Sequence, residues 1–73
     1  MELEPVVSSN IAAIGFDAVS GTMYVKFTSG LTYEAPGATQ ADYDTWKAAK
    51  SKGVHFAKVL KKAFIWTKIE KKG

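Results

Sequence analysis

The sequence contains no cysteine and no arginine; all ten of its basic residues are lysine. Without cysteine there are no disulfide staples, no thiolate catalysis and no Cys-based zinc site. Such a composition fits a reducing compartment, and a cytoplasmic location is the expectation. Without arginine the chain lacks the residue best suited to bidentate recognition of bases and phosphates, which argues against sequence-specific base readout. Histidine is nearly as scarce. The single imidazole, His55, has no carboxylate at a fixed local spacing and reads as a structural or solvent-facing residue. No base accompanies Ser8-Ser9, and Ser51-Lys52-Gly53 lacks the glycine density of a phosphate loop. The acids are scattered rather than convergent, so no metal site is expected. The expectation is a chain that is not an enzyme and carries no cofactor. Long apolar runs are also missing; none approaches the roughly 20 residues of a bilayer span. The opening MELEPVVSS is acidic and has no apolar core, so neither a membrane span nor a secretory leader is expected.

What the sequence does have is segregated charge. From Lys47 to Gly73 nine lysines stand against one glutamate, a local charge of +8. The first 46 residues carry six acids against Lys26 alone, a local charge of −5. The net +3 therefore hides a strong dipole, and such asymmetry is an argument about partners rather than about fold. At 73 residues there is room for one domain with one small core.

The periodicities predict an α+β fold: a three-stranded antiparallel meander followed by two helices packed on one face. Ile11 to Val19 reads as the first strand, and Ser20-Gly21 as the hairpin turn. Thr22 to Thr28 has the cleanest period of two, with Met23, Val25 and Phe27 on one face and Tyr24 and Lys26 on the other. Leu31 to Ala35 forms the third strand after Ser29-Gly30. Pro36-Gly37 stops the sheet, and Thr39 with Asp42 forms a capping box for a first helix whose buried stripe is Tyr43, Trp46 and Ala49. Gly53 is read as the left-handed cap that ends it. A second helix is expected from about Val54 to Ala63. Phe56, Val59, Leu60 and Ala63 form its inner face, and Lys58, Lys61 and Lys62 its outer one. Phe64 to Ile69 alternates again, as a short strand or as an extended strap. The ordered core is expected over residues 8–69, with flexible ends at 1–7 and 70–73.

Three groups are candidates for partner binding. The lysines Lys47, Lys50, Lys58, Lys61 and Lys62 suit phosphate or an acidic protein surface, though a solvated helix face has the same pattern. Trp66 is the expected exposed anchor, since surface tryptophan often marks an interface. Val6, Val7, Ser8, Ser9 and Asn10 offer an arm whose backbone, if unpaired, suits β-augmentation; an arm without order is the open alternative. Tyr24 beside Lys26 is a weaker candidate for stacking a base.

In ordered spacing, the residues Ser8-Ser9-Asn10-Ile11, Gly15-Phe16-Asp17, Gly21-Thr22, Tyr24-Val25, Phe27, Ser29-Gly30, Tyr33, Tyr43, Ser51-Lys52-Gly53 and Phe56 resemble the KTSC domain. This is a module of about 60 residues, found alone in bacterial and phage proteins and appended to some lysyl-tRNA synthetases. The resemblance runs from Ser8 to Ile69 and implies an RNA-binding accessory role. Two features depart from the family pattern. Its central Tyr-x-Tyr is here Tyr33-Glu34-Ala35, and its aromatic-Pro-aromatic near the C-terminus is Phe64-Ile65-Trp66. With its length and tail, the chain also resembles a small bacteriophage transcription regulator of this domain type. That resemblance implies binding to host RNA polymerase, with the largest subunit as the expected contact region. It further implies σ displacement at initiation, antitermination during elongation, a monomer in the host cytoplasm, and nascent RNA as an open second contact.

Overall fold

Five strands, in chain order across the sheet, form a single antiparallel sheet, and the helices occupy the stretch between the fourth and the fifth. The computed structural model describes residues 3–69. The strands are β1 (Glu4–Pro5), β2 (Ile11–Asp17), β3 (Thr22–Phe27), β4 (Thr32–Ala35) and β5 (Thr67–Ile69). The α+β class and the meander of β2 to β4 agree with the sequence reading; the strand count does not. The arm read as loose supplies β1, with Glu4 opposite Ile14 and Pro5 opposite Ala13. The tail supplies β5, which pairs with β4 from Thr32–Ile69 to Glu34–Thr67. Both are edge strands of two or three residues; β1 is too short to show a period, whereas β5 realises the short-strand alternative for Phe64 to Ile69. The expected fraying of 70–73, and Met1 and Glu2 of the arm, lie outside the described residues.

The register explains the core. Ile14 faces Val25, and Phe16 faces Met23. A bulge between Ile11 and Ala13 inserts one residue into β2, which turns Ile11 to the same face as Ile14 despite their odd spacing. Ile11, Ile14, Met23 and Val25 are therefore all fully buried. The β2–β3 turn needs its glycine: Gly21 has φ +69°, and its N–H donates to Asp17 O at 2.8 Å.

Helix α1 (Gln40–Ala48) starts as the sequence indicates. Asp42 N–H donates to Thr39 Oγ1 at 3.2 Å, and Thr39 N–H donates to Asp42 Oδ2 at 3.0 Å. Its inner side chains, Tyr43 and Trp46, close over the sheet. The end of α1 differs from expectation. The chain becomes extended at Ala49, where Lys52 Nζ donates to the carbonyl at 2.8 Å, and Ser51 caps a new helix through Val54 N–H at 3.3 Å. Gly53 thus lies inside α2 (Lys52–His55) and not at a left-handed cap. Its Cα lies close against the Asn10 side chain, which would have to shift to admit a Cβ.

From α2 the rod continues through a π-helical turn, Phe56–Leu60, into α3 (Lys61–Ala63). The Lys61 N–H reaches back five residues to Phe56 O. This wider turn keeps Leu60 buried and Phe56 half-buried against the core, but leaves Val59 and Ala63 exposed. The expected four-residue inner face is corrected accordingly. The 3.6-residue period placed Val59 with Phe56 and Leu60, and the wider turn carries Val59 off that face. Among the described residues no helix is long and apolar enough to cross a membrane.

Candidate functional site

The chemistry-bearing side chains gather in three places around the helical layer. The first is a polar clasp at the β1 edge. Tyr43 rises from α1 beneath the arm and donates its hydroxyl proton to Glu4 Oε1 at 2.7 Å. Lys47, one helical turn on, meets the same oxygen at 3.2 Å and lies 5.5 Å from the centre of the Tyr43 ring. The Tyr43 hydrogen bond, then the Lys47 ammonium, hold the Glu4 carboxyl below the usual range. Burial, then the Glu4 hydrogen bond, push the Tyr43 phenol up. Both shifts favour a carboxylate accepting from a neutral phenol, a bonding arrangement rather than a poised acid–base pair.

The second place is an aromatic cleft of about 430 Å³, lined by Phe27, Tyr33, Phe56 and Trp66 with Lys61 at its rim. The rings interlock edge to face: Phe56 to Trp66 at 5.0 Å, Phe27 to Phe56 at 5.5 Å and Phe27 to Tyr33 at 5.7 Å. Trp66 is half-buried here, with Nε1 donating to Leu60 O at 3.0 Å, so the free-standing surface anchor expected from the sequence becomes one wall of a cleft. Tyr33 joins because it pairs with Val25 across the sheet, which puts it on the inner face; Tyr24 lies on the other. The sequence signal for this cleft was the shared parity of Val25, Phe27 and Tyr33, but it could not place Trp66 beside them.

The third place is the outer surface of the helical layer. Lys50, Lys58, Lys61 and Lys62 are exposed, and no salt bridge engages them among the described residues. Among them a shallow groove of about 350 Å³ is lined by Ala49, Val54 and Val59, with Lys50, Ser51, His55 and Lys58. Lys47, predicted with this group, is instead committed to Glu4.

The arm residues are dispersed. Val6 is half-buried on the core, and its N–H donates to Ala12 O at 3.1 Å, so it extends the β1–β2 pairing. Val7 is 99% exposed. Ser8 Oγ accepts from Ile11 N–H at 3.3 Å and donates to Asn10 Oδ1 at 3.2 Å, while Asn10 O accepts from Thr28 N–H at 3.0 Å. Ser9 is exposed within this turn. The arm is thus anchored at both ends, by the Val6 N–H on β2 and by the Asn10 carbonyl on Thr28, with Val7 to Ser9 between them.

The sequence pattern of the KTSC domain matches residues 7–64. The chain belongs to the KTSC domain family. A crystal structure of a KTSC domain protein from Yersinia pestis superimposes with a TM-score of 0.87 at 33% identity, covering 94% of this chain and 97% of that one. None of the curated proteins compared matches the chain. In this KTSC domain the family match takes in the turn at Ser8–Asn10, the buried Gly53 and the whole helical rod. Glu4 of the clasp and Trp66 of the cleft lie outside the matched stretch.

Proposed function

We propose that this KTSC domain is a non-enzymatic binding module whose partner is bacterial RNA polymerase. On this reading it acts as a phage regulator that displaces σ at initiation and promotes antitermination. The observation that carries the reading is charge left without an internal partner. Residues 45–69 contain seven lysines and no acid, and only Lys47 finds a carboxylate within the described structure. Lysines placed at the surface without counter-charges favour an acidic partner and speed its approach. The specific identity of that partner rests on the likeness of the whole chain to a polymerase-binding regulator. The test is capture of polymerase by the tagged chain from bacterial lysate, with and without nuclease. Recovery of polymerase subunits that survives nuclease supports the reading, and their loss with nuclease removes it.

A second reading, an RNA-binding accessory module, is favoured by the aromatic cleft. Four rings beside Lys61 suit stacking of an unpaired base with its phosphate on the ammonium. Recovery of RNA without polymerase in the same experiment would select it. Replacing Lys58, Lys61 and Lys62 together by glutamine should leave the melt within about 0.5 kcal/mol per site. It should weaken partner binding and flatten its salt dependence.

A further inference from the structure

The groove between Ala49 and Val59 differs from the rest of the basic surface in having an apolar floor. Val54 is 51% exposed and Val59 47% exposed. Val54 lies in α2 and Val59 in the π-helical turn that follows it, and both line one groove with Ala49. Lys50 and Lys58 line the same groove, and no acid is among its lining residues.

We infer that this groove is the docking site for an acidic amphipathic helix of the protein partner, its apolar stripe seated on Ala49, Val54 and Val59 and its carboxylates on Lys50 and Lys58. The inference deepens the polymerase reading, since it specifies the surface and the kind of segment bound. Charge complementarity selects an acidic occupant. The lining favours protein over nucleic acid, because its apolar surface is aliphatic (Ala49, Val54, Val59) and its one ring is the single His55 imidazole, not a platform of rings for successive bases. An acidic helix with apolar residues at spacings of three and four satisfies both demands.

The test does not require polymerase. Isotope-labelled protein is titrated with a synthetic Glu/Leu amphipathic helix, with the same helix carrying lysine for glutamate, and with a single-stranded uridine oligonucleotide. The Glu/Leu helix should shift the amides of Ala49, Val54, His55 and Val59, and Val54→Ser with Val59→Ser should lower its affinity by about tenfold. Both valines are exposed, so the double variant should melt like the parent. The lysine helix should not bind, and the oligonucleotide should leave Val54 and Val59 unshifted. Perturbation centred elsewhere, or undiminished affinity of the serine variant, overturns the inference. Preferential perturbation of the groove by the oligonucleotide overturns it in favour of RNA. Failure to capture polymerase, with the groove titration intact, removes only the polymerase reading.

Discussion

The two edges of the sheet are closed in different ways. β1 carries no large apolar side chain; it is two residues long and is held by the Glu4 carboxylate on Tyr43 and Lys47, with Val6 tucked in behind. β5 is three residues long and is held by what precedes it. Trp66 packs on Trp46 at 6.0 Å and on Phe56 at 5.0 Å, with its indole N–H spent on Leu60 O. One edge is fastened by polar groups near water, the other by buried aromatic area. The first should respond to pH and salt; the second should be indifferent to both and costly to remove.

The sharpest way to break the comparison is at the aromatic edge. Trp66→Ala should cost about 3 kcal/mol, the lower part of the range for such truncations because the ring is half-buried. For a domain whose total stability is on the order of 4–11 kcal/mol, that means a melt lowered by many degrees in a thermal scan. A melt close to the parent's would show that β5 is a loose strap and that Trp66 contributes little to the fold.

At the polar edge Tyr43→Phe keeps the ring stacked on Phe16, at 5.6 Å, and removes only the hydroxyl. The expected loss is about 1 kcal/mol, measured by denaturant titration. A loss equal to that of Trp66→Ala would erase the distinction between the edges.

Acid and alkali sharpen it further. The Glu4 carboxyl is held below its ordinary value, so its contribution is present above that value and is lost as pH falls through the lowered one. The Tyr43 phenol is pushed up, so its contribution is present below the ordinary tyrosine value, about 10, and is lost as pH rises beyond it. The Val6 amide, which donates to Ala12 O, should therefore report release of the arm at both extremes, while the amides of Thr67–Ile69 do not. Parallel changes at both edges would mean that the whole domain, not the clasp, is titrating.

The smallest effect is expected from Glu4→Gln. It should lower the melt slightly at low ionic strength and not at all near 1 M salt, where screening removes the pair with Lys47. A difference that persists at high salt would assign the clasp to geometry rather than charge.

Elements whose reasons are local were legible in the residues. The alternation of Met23, Val25 and Phe27 marked β3, Gly21 marked the hairpin, and Thr39 with Asp42 marked the start of α1. Each depends on a side-chain period or a hydrogen bond within a few positions. The segregation of lysine from acid was likewise readable by counting, and with it the expectation of an acidic partner.

What only the tertiary structure decided are features set by contacts between distant residues. Gly53 looked like a helix cap because glycine tolerates positive φ, but it lies inside α2, packed against the side chain of Asn10, forty-three positions away in the chain. Glu4 and Pro5 form a strand because Ile14 and Ala13 present a free edge and Tyr43 supplies a donor. Trp66 turned inward because Trp46 and Phe56 offer faces that no local pattern reveals. The π-helical turn is likewise invisible to the 3.6-residue period: Leu60 is buried and Phe56 packs on the core, while Val59, which that period placed with them, is exposed. Sequence determines what each segment prefers by itself; burial against a partner chosen by the fold decides which preferences are overruled.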